Sequence, residues 1–100
     1  MEAAVKKILN LILENKQLLK AQGVEKIGIF GSYARGDFTS DSDLDIVVVF
    51  LKGRKTMKSY MDVYDIIETT TGKKVDLLTI EAISPFIKPY IEKEIVYEKL

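Results

Sequence analysis

Several residue types are missing from this chain, and each absence removes a class of chemistry. There is no cysteine among the 100 residues, so disulfides, thiolate nucleophiles and cysteine-ligated zinc are excluded. There is no histidine either, which removes the commonest general base and every Ser-His-Asp arrangement. Any catalysis must therefore use carboxylates, Lys, Arg, hydroxyl groups and the backbone. Hard oxygen ligands of this kind favour Mg²⁺ or Mn²⁺.

Net charge and long hydrophobic runs are also lacking. Fifteen basic residues balance fifteen acidic ones, which argues against a protein that binds nucleic acid directly or a membrane surface. The longest apolar run, 46–51, is too short to span a bilayer, and charged residues interrupt the N-terminal apolar segment where a signal peptide would lie. The length of 100 residues and the composition, 47% hydrophobic and 30% charged, predict a single globular domain over residues 1–100. Because neither a signal peptide nor a membrane span is apparent, we expect a cytoplasmic location.

The order of apolar patterns and turn residues predicts an α/β (α+β) fold with a mixed sheet. Helices are predicted at 2–22, 32–36, 56–71 and 84–93, with Ser84 as an N-cap. Gly23 is expected to end the first helix in the left-handed conformation, and Gly72 to stop the third. Strands are predicted at 26–30, 43–50 and 74–80, and residues 94–98 form either an edge strand or a helical tail.

The lengths of the connections predict how the strands pair. About a dozen residues join Phe30 to Asp43, which allows the first two strands to run antiparallel. The long helix between the second and third strands suits a right-handed crossover, which makes those two strands parallel. The second strand is apolar on both faces in its later half, so we expect it to be central in the sheet.

Chemically informative residues concentrate between Phe30 and Phe50. Asp43 and Asp45 are two apart at the start of a strand, so their carboxylates share one face and can converge on a pair of metal ions. Gly31 follows a strand and opens a short helical segment, where free N–H groups and the Ser32 hydroxyl can bind an anion. Taken separately, the aspartates also fit a solvated strand start, and the Gly-Ser pair also fits a simple helix cap.

Two further residues are candidates for the same site. Asp76 stands alone in an apolar strand, and parallel pairing of the second and third strands would bring it beside the other two aspartates. The alternative is a carboxylate at a solvated strand end. Arg35 lies between the two motifs and either contacts phosphate or forms an ion pair with Asp37 or Asp41.

Together these residues resemble the signature of the polymerase-beta-type nucleotidyltransferases. The matching segments are Gly31-Ser32-Tyr33-Ala34-Arg35-Gly36, then, after five residues, Ser42-Asp43-Leu44-Asp45, and downstream Val75-Asp76-Leu77. Within that superfamily the chain is most similar to the minimal nucleotidyltransferase (MNT) domain proteins.

The resemblance implies a polymerase-beta-like fold, with a mixed sheet of three to four strands and helices packed on it. It also implies nucleotidyl transfer with two divalent metal ions, Mg²⁺ or Mn²⁺, and with ATP as the substrate. The residues implied to bind metal and to act in catalysis are Asp43, Asp45 and Asp76. The residues implied to bind the nucleotide are Gly31, Ser32, Arg35 and Ser42. A basic cluster after the second strand is interpreted as a solvated turn that could also face a partner or the triphosphate: Lys52, Arg54, Lys55 and Lys58.

The resemblance extends to a protein partner. Small proteins of this kind resemble the antitoxins of HEPN/MNT toxin–antitoxin pairs, in which the MNT protein adenylylates a tyrosine on its HEPN ribonuclease partner. We therefore expect a protein adenylyltransferase that neutralises a HEPN toxin. Two alternatives stay open: a binding module that neutralises its partner by occlusion, and a nucleotidyltransferase for a small-molecule hydroxyl.

Overall fold

A four-stranded sheet with helices on its faces forms the framework of the computed structural model, which describes residues 3–100. The helices of this part of the chain are α1 (Ala3–Leu13), α2 (Lys16–Ala21), α3 (Gly31–Arg35), α4 (Met57–Thr71) and α5 (Lys88–Glu94). The strands are β1 (Val24–Phe30), β2 (Leu44–Phe50), β3 (Val75–Thr79) and β4 (Val96–Lys99), and a short 3₁₀ turn covers Ile80–Ala82.

The sheet is mixed, in the order β3-β2-β1-β4. β1 runs antiparallel to both β2 and β4, whereas β2 and β3 are parallel. The predicted antiparallel pair, the predicted parallel pair and the central position of the second strand are all confirmed. The last segment of the chain is the edge strand β4 rather than a helical tail.

The two faces of the sheet are covered unequally. Alternate residues of β2 point to opposite faces, and Leu44, Ile46 and Val48 belong to the large core that also contains buried residues of α1, α2 and α4. On the other face Val47 belongs to a smaller buried cluster with residues from the segment 83–91. Asp45 shares that second, more open face, so the fold leaves one side of the β2 start accessible.

The prediction of one continuous helix at 2–22 is wrong, because two helices are separated at residues 14 and 15. Residue 2 lies outside the described part of the chain. Asn15 has φ −107° and ψ +24°, and its N–H donates to the carbonyl of Ile12 at 3.0 Å, a tightened contact that ends α1. Its side-chain amide donates to Thr70 of α4 at 2.5 Å. A tertiary contact therefore replaces helix continuity at an asparagine, a residue that competes well with the helical backbone.

The predicted start of the final helix is also wrong. Residues 85–87 form a turn in which the Ser84 carbonyl accepts from both Ile87 and Lys88, and α5 begins at Lys88. The physical reason is that Pro89 has no N–H to donate to the carbonyl of Pro85, so a helix cannot continue through this segment. Gly23 and Gly72 adopt positive φ after their helices, as the predicted terminations require.

None of the helices in residues 3–100 has the length and apolar character needed to cross a membrane.

Candidate functional site

The turn from β1 into α3 brings the backbone against a carboxylate. Gly31 is buried and has φ +74°, a conformation that side chains with a Cβ adopt at a cost. A Cβ at this position would also overlap the Oδ2 oxygen of Asp45. Glycine is therefore required here for two independent reasons, its conformation and its close approach to Asp45.

α3 is a short helix that ends quickly after this turn. Gly36 has φ +86°, and its N–H donates to the carbonyl of Ser32 at 2.9 Å. The N–H of Asp37 donates to the same carbonyl at 3.1 Å. The carbonyl of Ser32 is thus used to close the helix, while Ser32 itself remains half-buried at its start.

Strand pairing brings the predicted carboxylates together. Asp45 is the register partner of Asp76 in the parallel pair β2–β3 and of Phe30 in the antiparallel pair β1–β2. Neighbouring strands lie about 4.8 Å apart, so Asp45 and Asp76 stand side by side on one face. Asp43, predicted to be the first residue of this strand, lies one residue before β2 begins at Leu44. Asp43 and Asp76 are exposed, whereas Asp45 is half-buried.

The electrostatic environment of Asp45 is unfavourable to its charged form. The pKa of Asp45 is raised from 3.8 to about 6, first by burial and then by the negative charges of Asp76 and Asp43. The positive charge of Arg35 opposes the rise, and Glu94 adds to it weakly. Because a nearby cation would relieve both the repulsion and the desolvation, the cluster has the electrostatic character of a cation site.

The donor chemistry fits Mg²⁺ or Mn²⁺, which prefer carboxylate oxygens. Within residues 3–100, however, no three acidic, histidine or cysteine side chains converge closely enough to hold a metal ion by themselves. Mg²⁺ usually binds through one or two carboxylates and completes its coordination with water and substrate phosphates. The residues present therefore fit a metal ion that arrives with a phosphate ligand rather than a closed protein cage.

The loop between α3 and β2 is fixed by its own contacts. Phe38 stacks on Tyr33, with ring centroids 4.4 Å apart and planes inclined by 10°. The Ser42 hydroxyl accepts from the N–H of Thr39 at 2.8 Å. These contacts hold both ends of the loop, and they place Ser42, one residue before Asp43, in a structural role.

Arg35 makes the ion pair that was one of its two predicted roles. Its Nε atom lies 3.2 Å from Asp37, and its Nη1 atom lies 2.9 Å from Glu94 of α5. These hydrogen bonds, first that to Asp37 and then that to Glu94, raise the pKa of Arg35. The Arg35 side chain nevertheless remains half exposed, and its positive charge acts on Asp45.

Glu94 is the residue of this region that sequence reasoning missed. It is separated from Arg35 by 59 positions in the chain, and it lies at the end of a short helix whose register depends on the turn at residues 84–87. No local pattern distinguishes it from Glu92, the other acid of α5. Only the packing of α5 against the second face of the sheet brings it to Arg35.

The basic cluster lies at the opposite end of β2 from the carboxylates. Arg54 donates to the carbonyl of Ala21 at 2.8 Å, and Lys58 pairs with Asp62 at 2.7 Å. β2 is seven residues long, which separates its ends by about 20 Å. The cluster is therefore a surface turn that does not face the candidate phosphate site.

An apolar pocket of about 390 Å³ lies between the start of α4 and β3. Its lining includes Tyr60, Leu77, Leu78 and Ala82, but none of the predicted site residues. The chemistry-bearing residues lie instead on an open sheet face, as expected if a large part of the ligand shell is supplied by substrate.

Comparison with known proteins identifies relatives across most of the chain. The family described as "Nucleotidyltransferase domain" matches residues 7–98. A Methanocaldococcus jannaschii protein named "Putative protein adenylyltransferase" is 37% identical over 93 residues, which cover 90% of this chain and 93% of the relative. The protein adenylyltransferase MntA of Thermococcus cleftensis is 34% identical over 87 residues, which cover 87% of each chain.

Solved structures share the fold. One described as a "putative minimal nucleotidyltransferase" superposes with a TM-score of 0.78 at 25% identity, covering 95% of this chain and 96% of the other. A chain of the complex between tri-AMPylated HEPN toxin and MNT antitoxin from Shewanella oneidensis superposes with a TM-score of 0.62. That match covers 90% of this chain and 70% of the other at 16% identity, a likeness of fold.

Proposed function

Since the chain belongs to the nucleotidyltransferase domain family, we propose that it transfers AMP from ATP to a hydroxyl group of a protein partner. Two relatives are more than 30% identical to the chain, over 90% and 87% of its length. One is named a putative protein adenylyltransferase and the other a protein adenylyltransferase. ATP is the donor that such a reaction requires. The names of those relatives support a hydroxyl group of a protein, rather than of a small molecule, as the acceptor.

The observation that carries the proposal is the contact between Gly31 and Asp45, with Asp76 in register beside them. A turn without a side chain lets a phosphate approach the backbone, and the adjacent carboxylates supply metal ligands. Phosphate and metal therefore meet at one point. We assign phosphate binding to Gly31 and Ser32, with Arg35 as an additional phosphate contact.

The three aspartates have different parts in the reaction. Asp43, Asp45 and Asp76 would hold Mg²⁺ together with oxygens of the triphosphate and of water. When bound, the metal neutralises the charge of the triphosphate. Asp76 accepts the proton of the acceptor hydroxyl, whose oxygen attacks the α-phosphorus. The bond from that phosphorus to the oxygen bridging the β-phosphate breaks, and pyrophosphate leaves. The protein contributes positioning and charge stabilisation, which a site without histidine can supply.

We assign the acceptor to a HEPN-domain toxin, and the role of the chain to its antitoxin. The resemblance to MNT antitoxins supports this partner, and one fold neighbour is itself found in a complex of a tri-AMPylated HEPN toxin with an MNT antitoxin. The open face around Asp45 supports it as well, because a protein can bring its own surface to enclose an exposed site.

The test is to incubate the chain with α-labelled ATP, Mg²⁺ and a HEPN-domain protein as the acceptor. We expect label on the HEPN protein, an increase in its intact mass by whole AMP units, and loss of its ribonuclease activity. Replacing both Asp43 and Asp45 by alanine should abolish labelling. Asp41→Ala, which removes an exposed carboxylate from the neighbouring loop, is the matched control and should label normally.

Two outcomes would contradict this function. If label transfer survives the double substitution, the metal-ligand assignment is wrong. If the HEPN protein is neutralised without any gain in mass, the chain acts by occlusion and the site is not used for transfer.

A further inference from the structure

An apolar ridge lies on the segment that covers the second face of the sheet. It consists of Phe86, Ile87 and Tyr90, whose exposed fractions are 86%, 48% and 69%. Scattered single apolar residues are normal on a surface, but a group of large ones is typical of an interaction site. The apolar ridge is therefore a candidate docking surface.

The apolar ridge is held in place by hydrogen bonds and by buried neighbours. The Ser84 carbonyl accepts from Ile87 at 3.1 Å and from Lys88 at 3.0 Å. Ile83 precedes the ridge and Ile91 ends it, and both are buried. Because its backbone is already ordered, a partner that binds there loses little free energy to ordering the segment.

The residues that anchor the apolar ridge pack on strand residues next to the candidate site. Ile83 and Ile91 form one buried cluster with Phe30 and Val47. Phe30 directly precedes the glycine turn, and Val47 lies two residues after Asp45 on the same face of β2. The ridge and the site are thus built on adjacent positions of the same two strands.

A second connection runs along α5. Tyr90 and Glu94 are four residues apart, so they lie on the same side of the helix, about 6 Å apart along its axis. Glu94 pairs with Arg35 at 2.9 Å, and its negative charge acts on Asp45. One helical turn therefore links the ridge to the residue that contacts Arg35.

We propose that the apolar ridge docks the protein that carries the acceptor hydroxyl, an inference that rests on the proposed function. A protein acceptor has to bury apolar surface to remain bound and has to present one hydroxyl at the carboxylates. The ridge is connected to the carboxylate site in two ways, through the buried cluster of Ile83 and Ile91 beside it and through Glu94 on the same helix. A partner docked on the ridge is therefore close to the site where its hydroxyl is needed. Another exposed apolar pair, Met57 and Met61 of α4, belongs to a helix that packs on the opposite face of the sheet.

The experiment compares two double variants of the full chain, Phe86→Ser with Tyr90→Ser and, as a matched control, Met57→Ser with Met61→Ser. The probe is the same HEPN-domain protein as in the transfer assay, with Mg²⁺ and ATP. Transfer rates give KM and kcat for that protein, direct binding gives its Kd, and calorimetric titration with a non-hydrolysable ATP analogue gives nucleotide affinity. Circular dichroism verifies that both variants are folded.

We expect the ridge variant to raise KM and Kd for the HEPN protein about tenfold or more, the effect of losing one strong interface residue. Saturating kcat and ATP-analogue affinity should stay at the wild-type values. The methionine variant should match wild type in every measurement.

Several results would overturn the docking proposal. One is an unchanged KM and Kd for the HEPN protein. Another is a loss of ATP-analogue affinity, which would make the ridge a contact for the nucleotide base. The third is loss of a dimer of this chain while HEPN binding is unchanged. Failure of the proposed function looks different. In that case the wild type binds the HEPN protein through the ridge, and the ridge variant loses that binding, but no AMP is transferred by either.

Discussion

At the scale of single residues, Asp45 is the centre of the site's electrostatics. Its carboxylate lies against the backbone turn at Gly31 and stands beside Asp76 across a parallel strand pair. Its pKa is raised to about 6, first by burial and then by the neighbouring acids. A group held in this state costs folding free energy near neutral pH, and a bound cation removes that cost.

Replacing Asp45 by asparagine should therefore stabilise the metal-free protein at neutral pH. A carboxyl whose folded-state pKa is raised from 3.8 to about 6 stabilises the fold below its unfolded pKa, and this contribution is lost as the pH rises through 6. A pKa difference of about two corresponds to about 3 kcal/mol in the free energy of unfolding. Because Asp45 is partly exposed, solvent screening reduces this to about 1 kcal/mol. Urea unfolding with a chelator present should show Asp45→Asn more stable at pH 7.5 and equal to wild type near pH 4.

Asp41→Asn is the control, because it removes the same charge from an exposed loop position. Its unfolding free energy should follow that of wild type across the whole pH range. Equal stability of Asp45→Asn and wild type at pH 7.5 would contradict the electrostatic account of this site.

At the scale of elements, α4 is the crossover that sets Asp76 beside Asp45. It joins β2 to β3, and its Tyr60 hydroxyl donates to the carbonyl of Leu77 in β3 at 2.5 Å. Its first turn is capped by Thr56, whose side-chain oxygen accepts from the N–H of Ser59 at 3.0 Å. The helix start and the position of β3 are therefore linked.

Thr56→Ala should lower stability by about 1 kcal/mol, the usual cost of removing an N-cap side chain. The expected result is a lower midpoint of urea unfolding with an unchanged slope. Thr69→Ala, at an exposed position inside the same helix, is the control and should be neutral or slightly stabilising because alanine is the better helix former. A destabilisation of equal size at both positions would show that the cap is not the cause.

The elements also show which parts of this structure are predictable from sequence. Strand pairing was predictable because connection lengths and handedness restrict it strongly. The break at Asn15 was not, because it depends on a contact with Thr70 far along the chain. The start of α5 could have been predicted correctly, since a proline is tolerated only in the first turn of a helix and Pro89 therefore favours a start close to it. The pairing of Arg35 with Glu94 had no local signal.

The candidate carboxylates also have some properties that the sequence predicts and others that depend on tertiary packing. Their approach to one another follows from period-two geometry and parallel pairing, both of which are visible in the sequence. Their unequal burial and the raised pKa of Asp45 depend on how the second face of the sheet is covered. That coverage comes from the segment 83–91, whose path was predicted incorrectly.

At the scale of the whole molecule, ligand binding should appear as stability. A ligand that binds only the folded state, at a concentration about 100 times its Kd, adds about 2.7 kcal/mol to the free energy of unfolding. We expect this gain for a non-hydrolysable ATP analogue with Mg²⁺, and a much smaller gain when a chelator removes the metal, because repulsion between the triphosphate and the aspartates then remains. Thermal unfolding monitored by circular dichroism measures both values.

The outcome contrary to this prediction is an equal rise in Tm with and without Mg²⁺. Asp41→Asn again supplies the control and should keep the metal-dependent gain. Asp45→Asn should lose most of it, although it starts from a more stable protein.

The register between β2 and β3 has a consequence for the integrity of a population of molecules. Val75 and Leu77 are buried, and Asp76 between them is exposed beside Asp45. A slip of β3 by one residue would exchange the faces of all three side chains, exposing two apolar groups and burying a carboxylate. Folded molecules with a misplaced third aspartate are therefore strongly disfavoured. The fraction of the protein that is folded should therefore equal the fraction in which Asp43, Asp45 and Asp76 are all correctly placed. Every folded molecule then carries an intact site.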